Sequence, residues 1–253
     1  MRGKRIVVTG AASGVGAVLA TELRAAGAQV FPTDRRAGEG IAICDLTDPD
    51  DIARYVRTLP EEIDGLACVA GVPGTLPAEI VLKVNYLGTR SLIDAVAPRL
   101  TDEAGIVVVS SLAGLRCTWP AEILDDLMDR SDWNDFLATP RIADLDSGTA
   151  YELSKRLIMA YAATLPRLLA ARRIRVNTVL PGPVETPILN DFRKSMGEDR
   201  IEAARAVVGR HATAREIAMP IAFLLSEAAS WVNGITLPLD GGLGAMRAPS
   251  PAK

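Results

Sequence analysis

Tyr151 and Lys155 are the two side chains whose types and spacing could do acid–base chemistry. They stand four positions apart in the segment Tyr151-Glu152-Leu153-Ser154-Lys155, and in a helix residues at i and i+4 share one face. A free tyrosine titrates near pH ~10, and a neighbouring positive charge lowers that pKa. The spacing therefore predicts a phenol tuned toward neutral pH that can give or take a proton. Because the same spacing also occurs on ordinary solvated helix faces, the pair needs support from the rest of the chain.

A glycine-rich turn near the start of the chain gives the first support. The short apolar run Ile6-Val7-Val8 predicts a buried strand, and the turn Thr9-Gly10-Ala11-Ala12-Ser13-Gly14-Val15-Gly16 follows it directly. The next segment has a helical apolar face and ends at Gly27; the face consists of Val15, Val18, Leu19 and Leu23. Strand, glycine turn and helix in this order are typical of a loop that binds the pyrophosphate of a dinucleotide.

An acidic residue at the end of the second predicted strand indicates which dinucleotide. Asp34 ends the run Gln29–Asp34, 18 residues after Gly16, where a carboxylate can bind the adenosine ribose hydroxyls. Such a carboxylate repels the 2′-phosphate of NADP, although Arg35 and Arg36 could bind that phosphate instead. Ser13 in the glycine loop is not basic, so the sequence favours NAD over NADP. Pro32 is unexpected in an inner strand because it lacks an N–H.

Composition excludes several other functions. The net charge of −3 gives no basic surface for nucleic acid or an anionic membrane, and no segment is apolar for long enough to span a bilayer. The three cysteines have no metal-like spacing and indicate reduced thiols in a cytoplasmic protein. His211 is the only histidine, so we expect neither a histidine base nor a metal site.

The remaining pattern predicts one α/β domain over residues 1–253, with a mostly parallel, seven-stranded, doubly wound sheet of the Rossmann type and helices on both faces. Ser110 and Ser111 end the strand 106–109, at the sheet edge where such folds bind ligands. Asn85 falls in a long predicted helix over about 78–100, and a capping box at Thr213 and Glu216 starts the last long helix. The other predicted segments are strands at 41–44, 65–71, 174–179 and 235–239, a helical stretch at 187–209 and a frayed tail after Met246.

Taken together, these motifs resemble the short-chain dehydrogenase/reductase family over nearly the whole chain. Thr9-Gly10-xxx-Gly14-x-Gly16 is similar to the family's TGxxxGxG loop, and Tyr151-xxx-Lys155 is similar to its YxxxK motif. Ser111 matches the family's catalytic serine and Asn85 its helix asparagine, while Pro181-Gly182 with Thr186 matches its PGxxxT segment. The resemblance implies hydride transfer between a nicotinamide cofactor and a small-molecule alcohol or carbonyl, in a homodimer or homotetramer.

The resemblance also implies a role for each matching residue. Tyr151 would be the general base in alcohol oxidation and the general acid in carbonyl reduction, and Ser111 would hold the substrate oxygen. Lys155 would lower the pKa of Tyr151 and bind the nicotinamide ribose, and Asn85 would hold a water that links Lys155 to solvent. The implied cofactor contacts are Tyr151 and Lys155 together with Gly10, Ser13, Gly14, Val15, Gly16, Asp34, Arg35, Asp45, Leu46, Ala70, Gly71, Pro181, Gly182, Val184 and Thr186.

Three departures qualify the resemblance. The family's NNAG turn reads Cys68-Val69-Ala70-Gly71, so the hydrogen bonds of two asparagines must be replaced. Pro166 and Pro220 fall inside predicted helices, where each should kink or end the helix. Ser111 and Tyr151 stand 40 positions apart, a spacing similar to that of a subgroup with hydroxysteroid and aromatic-alcohol dehydrogenases.

The inserted segment 112–148 has three interpretations. It carries Trp119, Trp133 and Phe136, which could form an aromatic wall over a bulky alcohol; the segment could instead lie in a subunit interface or be a surface decoration. Local runs are most similar to coniferyl-alcohol dehydrogenases, with 3α-hydroxysteroid dehydrogenase/carbonyl reductases as the alternative. A catalytically silent nucleotide-binding regulator is a third possibility, which the intact Ser111, Tyr151 and Lys155 disfavour.

Overall fold

The computed structural model describes residues 1–247 and contains the expected parallel sheet. Seven strands are hydrogen-bonded in the order β3-β2-β1-β4-β5-β6-β9, and every described pair is parallel. Strands β7 and β8 form a separate two-residue parallel ribbon. The strands are β1 Arg5–Thr9, β2 Gln29–Asp34, β3 Ala42–Ile43, β4 Ile63–Cys68, β5 Leu100–Val109, β6 Arg175–Pro181, β7 Val184–Glu185, β8 Ala212–Thr213 and β9 Thr236–Leu239.

Helices cover both faces of the sheet, as predicted. Alternate strand residues point to opposite faces, so Val7, Leu66 and Ile106 join one core cluster while Ile6, Ala67 and Val107 join the other. Helices α1 and α11 cover the second cluster, and α2, α4 and α8 cover the first. The helices are α1 Gly14–Ala25, α2 Pro49–Thr58, α3 Ala78–Leu82, α4 Thr89–Val96, α5 Ala121–Asp129, α6 Trp133–Leu137, α7 Pro140–Ala143, α8 Ser147–Leu168, α9 Leu189–Met196, α10 Glu198–Val208, α11 Ala214–Leu225 and α12 Leu243–Arg247.

The strand order reverses at β1, which lies between β2 and β4. The turns that leave β1 and β4 therefore diverge and open a crevice at the carboxyl ends of the strands. Pro32 is tolerated in β2 because β3 is only two residues long and pairs with Thr33 and Asp34. At Pro32 the strand has a neighbour on one side only, namely Val8 of β1.

The long helix predicted over 78–100 is wrong as a continuous element. It divides into α3, a π-helical segment over Lys83–Gly88, α4 and a 3₁₀ turn, and Leu100 already begins β5. A tertiary contact accompanies the irregularity: a Cβ on Gly88 would lie 2.0 Å from the carbonyl oxygen of Leu46. The close approach of the loop around Leu46 requires a glycine at position 88, and the π-helical segment that ends there carries Asn85.

Capping side chains mark the start of two helices, α8 and α11. Asp146 accepts hydrogen bonds from the N–H groups of Gly148 and Thr149, both at 2.9 Å, and so caps α8. The predicted capping box of Thr213 and Glu216 is present at the start of α11. Pro166 and Pro220 do not end their helices, because α8 and α11 continue through them; the alternative, a kink at each proline, stays a prediction. In α11, buried Ile217 and Ile221 flank the proline and hold both halves against the core.

The helices of the inserted segment pack on α4 and α8, while Leu112, Ala113 and Arg116 at its start line the crevice. Phe136 is fully buried, with its ring centre 5.5 Å from that of Tyr86, and the indole N–H of Trp133 donates to Ser91 at 3.3 Å. Arg90 donates to the carbonyl of Met128 at 2.6 Å and so binds the last turn of α5. The sequence predicts a frayed tail after Met246; Arg247 still belongs to α12, and the rest of that tail lies outside the described range.

Candidate active site

A cavity of about 730 Å³ lies at the carboxyl ends of the strands. It brings together all the predicted site residues except Asn85. The predicted residues that line it are Gly10, Ser13, Gly14, Val15, Gly16, Asp34, Arg35, Asp45, Leu46, Ala70, Gly71, Ser111, Tyr151, Lys155, Pro181, Gly182, Val184 and Thr186.

The glycine turn fits closely against its surroundings. A Cβ on Gly16 would lie 2.2 Å from the carbonyl oxygen of Gly10, and a Cβ on Gly10, whose φ is +68°, would lie 2.9 Å from the backbone of Ala70. Thr9 accepts from the N–H groups of Val69 and Ala70, both at 2.9 Å. These bonds join the turns that follow β1 and β4 directly, where the asparagines of the family's NNAG turn are absent.

Asp34 lies beside the glycine turn at one end of the cavity. Its carboxylate accepts from the N–H of Ala12 at 3.1 Å and from the N–H of Arg36 at 3.0 Å. The guanidinium of Arg36 donates to Ser13 at 2.7 Å and lies 3.5 Å from Asp34. Asp34, Arg36 and Ser13 thus form one polar cluster beside the glycine turn. The cluster offers a carboxylate and a guanidinium that can form hydrogen bonds with a ribose.

Ser111, Tyr151 and Lys155 converge at the other end. Ser111 follows β5 and accepts from the N–H of Ala113 at 3.1 Å, which starts the 3₁₀ turn Leu112–Arg116. Tyr151 and Lys155 lie on α8, and both are buried. The Lys155 ammonium lies 5.8 Å from the centre of the Tyr151 ring and donates to the carbonyl of Val109 at 3.3 Å.

Burial dominates the titration of this pair. It raises the pKa of Tyr151 to about 12; a hydrogen bond with Ser111 and the charge of Arg116 lower the pKa, but by less. Burial also lowers the pKa of Lys155 to about 8. The expectation that Lys155 lowers the pKa of Tyr151 stays a prediction, and burial of the phenol acts in the opposite direction.

Asn85 lies behind the cavity wall. Its side-chain oxygen accepts from the N–H of Val72 at 2.9 Å, and its amide donates to the carbonyl of Val72 at 3.0 Å and to Ser154 at 3.2 Å. A Cβ on Gly71 would lie 3.2 Å from both Asn85 and the Lys155 ammonium. Asn85 therefore holds the turn after β4 against α8, and its expected link to a water remains a prediction.

Two residues of the site had no signal in the sequence. Phe192 of α9 lies 5.5 Å from Tyr151, ring centre to ring centre, with the planes inclined by 60°. Arg116 lines the cavity and donates to Glu152 at 2.6 Å. Trp119, Trp133 and Phe136 do not line the cavity, so the predicted aromatic wall is wrong, although Leu112, Ala113 and Arg116 of the same segment do line it.

Comparison with known proteins agrees with this geometry. Residues 4–121 match the family model described as short chain dehydrogenase, and residues 141–244 match the one described as enoyl-(acyl carrier protein) reductase. A coniferyl-alcohol dehydrogenase from a Pseudomonas species (strain HR199) is 38% identical over 95% of this chain and 96% of its own length. The chain belongs to the short-chain dehydrogenase family.

Two further relatives of this short-chain dehydrogenase bear on its chemistry. A 3-alpha-hydroxysteroid dehydrogenase/carbonyl reductase from Comamonas testosteroni is 32% identical over 97% of this chain and 98% of its own length. The crystal structure of a 3-alpha-hydroxysteroid dehydrogenase from Pseudomonas sp. B-0831, complexed with NADH, superimposes with a TM-score of 0.82 at 32% identity, covering 98% of this chain and 100% of that one. The chain is an oxidoreductase of a family that acts on alcohols with a nicotinamide cofactor.

The residues present fit such a cofactor. The N-terminus of α1 faces the cavity at Gly14 and Gly16, and the missing side chain of Gly16 lets this turn lie directly against Gly10. Asp34 suits the ribose hydroxyls at one end, and buried Lys155 suits a second ribose at the other. Over residues 1–247, no group of three or more His, Cys, Asp or Glu side chains could hold a metal ion, and no helix is long and apolar enough to cross a membrane.

Proposed function

We propose that this short-chain dehydrogenase is an NAD-dependent enzyme that interconverts a bulky or aromatic alcohol and its carbonyl compound. One observation carries the proposal: Ser111, Tyr151 and Lys155 line the same cavity as the glycine turn and Asp34. A bound nicotinamide ring supplies the hydride chemistry. The chain therefore needs only to hold the substrate oxygen and to move one proton.

The proton is the task we assign to Tyr151. In carbonyl reduction its O–H donates a proton to the developing alkoxide, and in alcohol oxidation its oxygen accepts the hydroxyl proton. The raised pKa keeps the phenol protonated at neutral pH, which suits the reductive direction. We assign to Ser111 the donation of a hydrogen bond to the same substrate oxygen, and its position in the same cavity as Tyr151 supports this role.

Asp34 supports the choice of NAD over NADP. Both carboxylate oxygens accept backbone N–H groups, and only 9% of the side chain is exposed. A 2′-phosphate next to this fixed negative charge would be repelled. Arg36 favours NADP instead, because its guanidinium lies beside Ser13 and could bind a phosphate. However, the ion pair between Arg36 and Asp34 already engages part of the positive charge of Arg36.

The walls near Tyr151 support a bulky apolar substrate. Leu112, Leu189, Phe192 and Met196 line this end of the cavity, and Phe192 offers a ring for stacking. Coniferyl alcohol is our first candidate, since a coniferyl-alcohol dehydrogenase is the 38% identical relative. A 3α-hydroxysteroid is the second, since the hydroxysteroid dehydrogenase from Pseudomonas sp. B-0831 shares the fold over its whole length.

A turnover panel tests the proposal. The purified enzyme is assayed for NAD reduction and, separately, NADP reduction with coniferyl alcohol, a 3α-hydroxysteroid and a small alcohol such as ethanol. We expect the first two to exceed ethanol in kcat/KM, and NAD to exceed NADP. Absence of turnover with every alcohol and both cofactors would contradict an enzymatic function and revive a silent nucleotide-binding regulator.

Two further expectations belong to the proposal. The thiols of Cys44, Cys68 and Cys117 are free and support a reducing compartment such as the cytoplasm. Trp231 is 99% exposed, beside the start of the edge strand β9. An indole left in water supports a homodimer or homotetramer that covers it, and light scattering would measure the assembly directly.

A further inference from the structure

A second, smaller cavity of about 230 Å³ opens beside the catalytic one. The two cavities share four lining residues, namely Arg116, Tyr151, Met196 and Arg200. The smaller cavity, here called the annex, is otherwise polar. Its remaining lining residues are Gly74, Asp146, Gly148, Thr149, Glu152 and Ser195. A substrate whose reacting carbon lies at Tyr151 can therefore extend from an apolar chamber into a polar one.

Arg116 is held in a fixed place between the two cavities. It ends the 3₁₀ turn that follows Ser111, and this turn lies directly on α8, since a Cβ on Gly114 would stand 2.9 Å from the carbonyl carbon of Lys155. Its Nε donates to Glu152 at 2.6 Å. The two terminal amino groups of Arg116 donate to no other residue of the described chain, so their fork is available to a ligand.

Arg200 faces the annex from α10. It forms no ion pair within the described residues, whereas Arg193 and Arg205 in the same region both pair with Glu202. The acids of the annex are already engaged: Asp146 accepts three hydrogen bonds from Gly148 and Thr149, and Glu152 binds Arg116. Arg200 is therefore the cation of the annex that has no ion-pair partner among the described residues, although the lining as a whole carries two arginines and two acids.

We propose that Arg116 and Arg200 bind a carboxylate of the substrate, so that the preferred substrate is a hydroxy acid or oxo acid with an apolar body. The inference rests on the proposed alcohol oxidation and deepens it. A guanidinium presents two parallel N–H groups that match the two oxygens of a carboxylate. Because Glu152 follows Tyr151 directly in α8, the Arg116–Glu152 bridge fixes the distance between the bound carboxylate and the reacting oxygen.

Matched alcohols test the proposal. The holoenzyme with NAD is assayed with para-(hydroxymethyl)benzoate and its methyl ester, and with the one-carbon longer para-(hydroxymethyl)phenylacetate and its methyl ester. Each ester keeps the ring and the alcohol but removes the charge. We expect the ratio of kcat/KM for the acid over its ester to be about tenfold for the length that fits, as for a charge-assisted hydrogen bond near the surface.

Single substitutions then locate the recognition. Arg200→Gln should reduce the acid-to-ester ratio by about tenfold, and Arg200→Lys should reduce it by less, because lysine keeps the charge but not the fork. Arg205→Gln is the matched control, because this exposed arginine lies on the same helix but lines neither cavity. We expect the control to leave the ratio as in the wild type.

Three results would overturn the inference. Equal kcat/KM for acid and ester at both lengths would remove the annex from substrate recognition while leaving the oxidoreductase assignment intact. A preference that survives in both Arg200→Gln and Arg116→Gln would assign the carboxylate to other residues. Turnover of neither acid nor ester, together with failure of the neutral alcohol panel, would remove the proposed function itself and this inference with it.

Discussion

The ammonium of Lys155 lies 5.8 Å from the centre of the Tyr151 ring, one turn further along α8. Both groups are buried, and burial moves their pKa values toward the neutral forms: Tyr151 to about 12 and Lys155 to about 8. At neutral pH the site thus holds a protonated phenol beside an ammonium.

Tyr151→Phe should abolish turnover and preserve cofactor binding, because the substitution removes only the hydroxyl group that moves the proton. We expect kcat to fall by ~10²-fold or more, the usual contribution of a positioned acid or base. Steady-state assays and a fluorescence titration with NADH measure the two effects. An equal loss of rate and of NADH affinity would contradict the role of Tyr151.

Lys155→Met should make the free energy of unfolding less dependent on pH. An unfolded lysine stays protonated up to its ordinary pKa of 10.5, whereas folded Lys155 loses its proton above about 8. Between these values the unfolded chain binds more protons, so the stability contributed by this site rises with pH. The cost of burying the charge is complete below pH 8 and corresponds to at most about 3 kcal/mol.

The stabilisation of Lys155→Met over the wild type should therefore be largest below pH 8 and shrink as the pH approaches 10.5. Urea denaturation of both proteins at several pH values between 7 and 10 measures the difference and cancels the groups that titrate in both. A difference that stays constant over this range would show that Lys155 is not charged and buried at neutral pH.

Asp34→Ala should reduce the preference for NAD over NADP. The substitution removes the charge that repels a 2′-phosphate and frees Arg36, which now lies 3.5 Å from Asp34. We expect the ratio of kcat/KM for NAD over NADP to fall by about tenfold, as for one close charge pair. In the double variant with Arg36→Ala, the gain in NADP use should disappear. A wild-type enzyme that already prefers NADP would refute the assignment of Asp34.

Some parts of this site could be predicted from the sequence, and others could not. The glycine turn, Asp34, Ser111 and Tyr151 were predictable because each follows a local rule: a strand followed by glycines, an acid at a strand end, or an i, i+4 pair. The capping box at Thr213 was predictable for the same reason, since its two partners are three residues apart.

The features that the sequence did not predict are set by contacts between distant segments. The π-helical segment around Asn85 accompanies the approach of Leu46 to Gly88, and no periodicity records that contact. The position of Phe136 depends on a partner, Tyr86, 50 residues away in the chain. The spacing of Tyr151 and Lys155 shows a nearby ammonium but not the depth at which both groups are buried, so the sequence did not predict the effect of burial on the pKa of Tyr151.

His211→Leu should loosen the cover of the cavity formed by α9 and α10. The imidazole is buried, with Nδ1 3.0 Å from a carboxylate oxygen of Glu185 and Nε2 3.5 Å from the carbonyl oxygen of Ile201. It thereby joins the β7–β8 ribbon to α10. Leucine fills the space but makes neither contact, so we expect KM for the alcohol to rise several-fold, as for one lost buried hydrogen bond.

Limited proteolysis provides the structural measurement for His211→Leu. The segment 187–209 should be cleaved faster in the variant than in the wild type, because opening of this cover costs less free energy. Arg210→Gln is the control, since the side chain of Arg210 binds Glu216 and the backbone carbonyl of His211 but makes no hydrogen bond to Glu185 or Ile201. Unchanged cleavage and unchanged KM in His211→Leu would mean that the histidine does not hold the cover.

Phe136→Ala decides the role of the inserted segment. The phenyl ring is fully buried against Tyr86 and does not line the cavity, so its loss should lower the free energy of unfolding by about 3–5 kcal/mol. KM should change equally for large and small alcohols, because the ring touches neither. Leu115→Ala is the control, since Leu115 belongs to the same segment but is 54% exposed and should cost little stability. A selective rise in KM for the large alcohol, with stability retained, would instead restore the segment as a substrate wall.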